Sequence, residues 1–229
     1  MRRTTRGVVI ALGFVGAGAV GAARAPLGGW AIVKVADAPA TWEAGRPLEL
    51  VWETRQHGEH PMAGLTPRIE AKAGLLTRAR GSASERPARE GGGYRGTITF
   101  PSPGDWTVTV HGGFGAAKTT LLPVRVVDRA TMARGVAAES AAERGRRAFA
   151  ARGCVTCHAH DAVALPSEMP GFAPNLSGTR PAEYVVRVLR DPSGATRAGG
   201  TRMPNLALSE SDVALFAAFL STDRRQASR

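Results

Sequence analysis

The sequence predicts a chain of two folded parts, an all-β sandwich followed by an all-α region, behind an N-terminal signal or anchor helix. Three observations predict it. Residues 7–23 are uncharged, residues 30–128 contain short apolar runs rich in β-branched residues, and from Ala133 the apolar residues recur at helical spacing. The expected boundaries are a signal or anchor at 1–25, a sandwich at 26–128, a linker at 129–137 and a helical domain at 138–229.

The N-terminal segment has the features of an export signal. Arg2, Arg3 and Arg6 precede an apolar run from Gly7 to Ala23, and small residues follow it. Seventeen apolar residues are close to the lower limit for a spanning helix, so an uncleaved anchor stays open. In either case the positive end stays inside, and the rest of the chain is expected in the periplasm or on the outer face of a bacterial cytoplasmic membrane.

Residues 30–128 are expected to form strands joined by turns. Glycine and proline clusters mark the turns at 43–47, 91–93 and 101–104. The stretch 74–93 is rich in Arg, Ser and Gly, and we expect a mobile loop there. Six short strands in about 100 residues favour a β-sandwich. The expected strands are 30–36, 47–54, 65–73, 94–100, 104–112 and 118–128.

The C-terminal part contains three expected helices, at 139–153, 180–192 and 209–220. Pro181 opens the second helix and Pro192 ends it. Ser209 and Asp212 have the spacing of a capping box at the start of the third.

The composition argues against two classes of function. The formal net charge is +11, but the basic residues form no dense cluster interleaved with aromatic residues, as a nucleic-acid surface requires. No Ser–His–acid set or carboxylate pair indicates side-chain catalysis, so we expect no enzyme. A mildly basic face suits an acidic protein partner or an anionic membrane.

The two cysteines of the chain, Cys154 and Cys157, are followed at once by His158. A thioredoxin-type motif lies between a strand and a helix, whereas this one follows a predicted helix. Zinc requires two further ligands. His158 and His160 are close by in the sequence, but residues this close on one short turn cannot easily complete a tetrahedral site. The order C-x-x-C-H is the attachment signature of c-type haem, with the histidine as an axial ligand of the iron.

A low-spin haem requires a second axial ligand, often methionine. Met203 follows His158 by 45 residues, enough chain to pass round the edge of the ring, and Pro204 restricts the backbone beside it. Met169 is the alternative, although it follows His158 by only 11 residues.

With these residues in place, residues 140–222 resemble a class I monohaem cytochrome c domain. Besides the haem motif, the resemblance rests on Gly145 and Phe149, on Pro174-Asn175-Leu176, on Met203-Pro204 and on Leu215-Phe216. It implies that the carbonyl of Pro174 accepts the imidazole N–H of His158. One departure is Ala173, where the family often has glycine.

The β-part resembles the small exported immunoglobulin-like domains of the YtkA and FixH type, often tied to respiratory oxidases and copper. The stretches 53–71 and 94–110 carry this resemblance. His57, His60 and Met62, with His111 further on, are residue types that bind copper in an oxidising compartment. The alternative is a polar loop with solvated histidines.

The sequence therefore predicts an electron-transfer protein with one covalent haem c, bound by Cys154 and Cys157 and ligated by His158 and Met203. Its expected partners are redox proteins, namely an oxidase, a reductase or another cytochrome in a respiratory chain, with the membrane as a further partner if the N-terminal segment is uncleaved. Two alternatives stay open: a copper-handling assembly factor acting through the β-part, and a haem enzyme with an open axial site.

Overall fold

The structure, a computed structural model, describes residues 29–87, 93–195 and 202–222. Within them, ten strands form one curled sheet. The strands are β1 (Ala31–Val35), β2 (Thr41–Glu43), β3 (Pro47–Gln56), β4 (His60–Pro61), β5 (Arg68–Ala73), β6 (Thr77–Glu85), β7 (Tyr94–Thr99), β8 (Gly104–His111), β9 (Lys118–Thr120) and β10 (Val124–Val127). Their order is β1-β3-β7-β6-β5-β8-β10-β2, with β4 beside β3 and β9 beside β8.

The inner face of the curled sheet holds the main hydrophobic core. Strand β8 shows the alternation that produces it, because Trp106, Val108 and Val110 are fully buried while the residues between them are half-buried. Trp52 and Tyr94 stack across β3 and β7 with ring centroids 6.1 Å apart. Each such buried side chain contributes about 1.5–3 kcal/mol through the apolar surface it removes from water.

The prediction of a two-sheet immunoglobulin-like sandwich is wrong, and β6 is the reason. This strand lies in the stretch predicted to be a mobile loop, and it pairs with β5 on one side and β7 on the other. It thereby joins into one sheet the strands that would otherwise form two. The alternation along β6 is hard to recognise in the sequence because its inward-facing residues, Ala79, Gly81 and Ala83, are small. A Cβ at Gly81 would lie 2.5 Å from the carbonyl oxygen of Thr97, so the site has no room for one.

The prediction of a separate all-α cytochrome c fold is also wrong. The helices are α1 (Arg129–Ala133), α2 (Ala141–Ala151), α3 (Ala182–Arg190) and α4 (Glu210–Leu220), with 3₁₀ turns at Cys154–Thr156 and Pro192–Gly194. These short helices and the loops between them pack on the sheet. Leu122 of the sheet region belongs to the helical cluster, Ala151 of α2 belongs to the sheet core, and Thr119 donates a buried hydrogen bond to the carbonyl of Ala150 at 2.9 Å.

Helices α2 and α4 cross closely at Gly145. A Cβ there would lie 2.1 Å from the backbone oxygen of Leu215, so only glycine permits this approach. Ser140 caps α2 by accepting from the Glu143 amide, and Ser209 with Asp212 forms a capping box at α4. The helices therefore begin where the sequence predicts, within one or two residues.

The remaining predictions on chain organisation stay predictions. The expected signal or anchor at 1–25 lies outside the described residues, and the expected linker at 129–137 contains α1. None of the helices within the described residues has the length and apolar character needed to cross a lipid bilayer.

Candidate cofactor-binding site

A cavity of about 650 Å³, open to solvent on one side, lies between helices α2, α3 and α4 and the loops that follow the cysteine motif. Both cysteines, His158, Pro174 and Met203 line it. Apolar side chains from the three helices form about half of its remaining wall: Phe149, Tyr184, Val185, Val188, Leu189, Phe216 and Leu220. A mostly apolar cavity with a few convergent polar groups is the usual form of a cofactor site.

A change of helix type places the two cysteines on the cavity wall. Helix α2 ends at Ala151, Gly153 adopts a left-handed conformation with φ of 80°, and a 3₁₀ turn begins at Cys154. The amides of Cys157 and His158 both donate to the carbonyl of Cys154, at 3.2 and 2.9 Å. A Cβ at Gly153 would lie 2.4 Å from Ile32 Cγ2, so this turn is pressed against β1.

The two thiols are not joined in a disulfide, and both are poor acids. Burial raises the pKa of Cys154 to about 12, with the neighbouring Cys157 adding to the effect, and burial raises the pKa of Cys157 to about 11. Both side chains are therefore neutral thiols at neutral pH. A redox-active C-x-x-C pair requires the opposite, a cysteine with a lowered pKa that is present as thiolate.

His158 is held by a backbone carbonyl. Its Nδ1 atom lies 2.9 Å from the oxygen of Pro174, the contact that the cytochrome resemblance implies. Burial lowers the pKa of His158, against the opposing effect of this hydrogen bond, so the ring is neutral at pH 7 and Nδ1 carries the proton it donates. The Nε2 lone pair then remains available for a ligand.

Met203 reaches the same cavity from a different part of the chain. It lies next to Pro204 in residues 202–209, the loop that leads into α4, and its side chain is half-buried. Met169, the alternative ligand, is absent from the cavity wall, and its amide donates to the carbonyl of Thr156 at 2.9 Å. His160 also lies elsewhere, with its ring centroid 4.5 Å from that of Phe219.

The β-sheet holds the Met203 loop at three points. Lys34 of β1 donates to the carbonyls of Leu206 and Ala207 at 2.9 and 2.8 Å. The amide of Asn205 donates to a carboxylate oxygen of Glu59 at 3.3 Å. A Cβ at Gly58 would lie 2.7 Å from Pro204 Cγ, so the turn after β3 touches the loop directly. Sequence reasoning missed these contacts, since they join residues more than 140 positions apart.

Comparison with known proteins yields little for this chain. No protein-family model matches it, and no curated protein is similar to it. Among solved structures, it is similar to domains 4 and 5 of the S-layer protein SbsC, with a TM-score of 0.31 and 17% identity over 44% of this chain and 54% of that one. A longer SbsC structure, residues 31–844, has a TM-score of 0.29 and 16% sequence identity, over 44% of this chain and 13% of that one. Likenesses this weak carry no argument about fold or function.

The residues predicted to bind copper lie near the turn between β3 and β4. His57 is exposed, with φ of 51° and its ring centroid 5.7 Å from Trp30, and His60 is exposed on β4. Met62 is half-buried, and its amide donates to the carbonyl of Thr54 at 2.8 Å. The described residues contain no cluster of three or more His, Cys, Asp or Glu placed to hold a metal ion. Copper binding therefore stays a prediction.

Proposed function

We propose that this chain binds one haem c covalently and transfers electrons between redox proteins. The observation that carries the proposal is the convergence on one apolar cavity of both cysteines, His158 and Met203, which are separated by up to 49 positions in the sequence. The resemblance to monohaem cytochromes c is retained for these site residues, and not for the fold.

The residues around the cavity fit a porphyrin. The cavity volume is within the range for cofactor sites, and the walls are mainly aliphatic and aromatic side chains that suit a flat apolar ring. Arg180 and Arg202 are the arginines on the wall. Arg180 donates to the carbonyls of Leu176 and Gly178, and Arg202 is exposed and would be a partner for a propionate carboxylate. When bound, haem iron supplies one-electron exchange between its ferrous and ferric states.

Cys154 and Cys157 would hold the group by thioether bonds. Each S–H would add across one vinyl double bond, the sulfur bonding to one vinyl carbon and the thiol hydrogen going to the other, so that attachment would consume no oxidant or reductant.

His158 and Met203 would ligate the iron of the group. The Pro174 carbonyl accepts the Nδ1 proton of His158 and holds the ring, so that Nε2 would be the ligating atom. Phe149, Phe216 and Leu220 would form an apolar wall against the bound group, and such a wall helps to set its redox potential.

The proposed setting is the outside of a bacterial cytoplasmic membrane, in the periplasm or on the membrane surface. The basic and apolar N-terminal segment supports export. The proposed partners are an oxidase, a reductase or another cytochrome.

Covalent attachment is tested by expressing the full chain in an exporting host that has haem-attachment machinery. The product is expected to show a c-type reduced-minus-oxidised spectrum, with pigment that stays on the polypeptide in acid acetone. A Cys154→Ser/Cys157→Ser variant is expected to lose all of this covalent pigment while keeping the wild-type far-UV circular dichroism. A colourless wild type, or pigment that acid acetone extracts, contradicts the proposal.

Axial ligation is tested with Met203→Ala. Ferrous wild-type protein is expected to bind no carbon monoxide, because both axial positions are filled, whereas Met203→Ala is expected to bind one carbon monoxide per haem and to have a lower midpoint potential. Met169→Ala is the matched control and should behave as the wild type. Carbon monoxide binding by the wild type would instead indicate an enzyme with an open iron site.

A further inference from the structure

The hairpin between β5 and β6 ends in two exposed leucines. Leu75 and Leu76 are each 91% exposed, whereas the next most exposed large hydrophobic residue of the described chain, Val136, is 50% exposed. They follow Gly74, whose φ of 57° permits the tight turn and whose surroundings are open. Two adjacent leucines at a protruding tip lose the stabilisation that burial would give them, unless another surface covers them.

Basic side chains surround the base of this tip. Lys72 and Arg78 are paired directly across β5 and β6, and Arg80 follows on the same face, opposite Glu70. All three bases are exposed. The face is outward because Ile69 and Ala71 of β5 are buried on the other side.

This arrangement of charge is unfavourable within the chain itself. Like charges directly opposite on a sheet destabilise it. Among the described residues no carboxylate forms an ion pair with Lys72 or Arg78, and Glu70 already accepts a hydrogen bond from Arg68 at 3.1 Å. Lys72 and Arg78 therefore remain available for an external anion, whereas Arg80 faces Glu70 across the strands.

We propose that this hairpin tip, Leu75-Leu76 with Lys72, Arg78 and Arg80, is a membrane-insertion loop that docks the protein on anionic lipid bilayers. Lys72 precedes Leu75 by three residues, or about 10 Å along an extended strand. Interfacial segments bury their apolar face about 5–10 Å into the boundary between headgroups and acyl chains. When the leucines enter the acyl region, the cations therefore lie at the level of the lipid phosphates.

Other occupants fit the tip less well. A second copy of this chain, docked tip to tip, would bring its own three cations close to the three cations of the first copy, and like charges repel. A nucleic acid would bind the cations, but it would leave the leucines exposed and find no aromatic residue at the tip to stack on. An anionic bilayer satisfies the apolar and the charged residues together. This docking is independent of the haem.

The test measures binding of the full chain to sedimented phosphatidylcholine vesicles, with and without 30% phosphatidylglycerol. We expect binding only with the anionic lipid. Leu75→Ser/Leu76→Ser should weaken it by at least about tenfold, because each leucine loses its burial in the acyl region. Lys72→Gln/Arg78→Gln should weaken it by about fivefold per charge. Val136→Ser, a matched loss of an exposed hydrophobic side chain elsewhere, should change nothing.

A second measurement reports insertion at the tip itself, and so separates it from any contribution of the N-terminal apolar segment. Tryptophan emission of a Leu76→Trp variant should be quenched by brominated lipids beyond the quenching of the wild type. Equal vesicle binding by the double leucine variant, or no added quenching, overturns the proposal. Self-association or binding of an acidic protein that needs the leucines, without vesicle binding, would assign the tip to a protein interface instead.

Discussion

An Asp212→Ala variant is expected to lose about 3–5 kcal/mol of unfolding free energy, because it leaves the guanidinium of Arg152 unpaired where it is mostly buried. Nη2 of Arg152 lies 2.7 Å and Nε 3.0 Å from the same carboxylate oxygen of Asp212. The side chains are only 15% and 6% exposed. Arg152 Nη1 also donates to the carbonyls of Val35 and Ala36. The pair thus joins the end of α2, the start of α4 and the end of β1.

Urea denaturation measures this loss, and Glu210→Ala is its matched control. Glu210 also lies in the first turn of α4 and pairs with an arginine, Arg190, at 2.6 Å, but their side chains are 74% and 58% exposed. An exposed pair contributes less than about 1 kcal/mol, so the control should stay near the wild type. Equal effects of the two variants would show that burial of the pair has no consequence for stability.

The same pair predicts an acid sensitivity. Burial opposes ionisation of Asp212, but the hydrogen bonds from Arg152 and Ser209 outweigh it, and the pKa of Asp212 lies below its ordinary value of 3.8. A carboxyl with a lowered folded-state pKa stabilises the fold above its unfolded pKa, and this contribution is lost as the pH falls through the folded value. The difference in stability between the wild type and Asp212→Asn should therefore shrink below about pH 4.

A Gly145→Ala variant is expected to be destabilised by about 1–3 kcal/mol through overpacking. Helix propensity alone predicts the opposite sign, a gain of about 0.5–1 kcal/mol. The contact with α4 decides, because the new Cβ would lie 2.1 Å from the Leu215 oxygen and 2.7 Å from Phe219 Cβ, and the first of these is rigid backbone. Separating α2 from α4 would also increase the distance between Phe149 and Phe216, which both line the cavity.

Thermal or urea unfolding decides the sign for Gly145→Ala. Arg144→Ala, on the exposed side of the same helix, is the control for a change in helix composition and should lie within about 0.5 kcal/mol of the wild type. A Gly145→Ala protein more stable than the wild type would mean that the two helices move apart without cost.

The sequence by itself determined the features that depend on local patterns. Each of the six segments expected to be strands contains a strand, and the three expected helices are present, two of them with side-chain caps. Side-chain alternation, helical spacing and capping residues all act within a few positions. The C-x-x-C-H motif is equally local, and the Cys154–His158 turn follows from five consecutive residues. Strand β6 escaped recognition because small residues, and not large apolar ones, alternate along it.

The tertiary structure alone decided how these elements assemble and what surrounds the cavity. One curled sheet replaces the predicted sandwich because β6 joins its two halves, and the helices lie on that sheet because Arg152, Thr119 and Lys34 bind across the boundary. The contacts of Lys34 and Gly58 with the Met203 loop are also features that only the tertiary structure decided. Such contacts join residues far apart in the chain and depend on exact distances between backbones, which no periodicity in the sequence records.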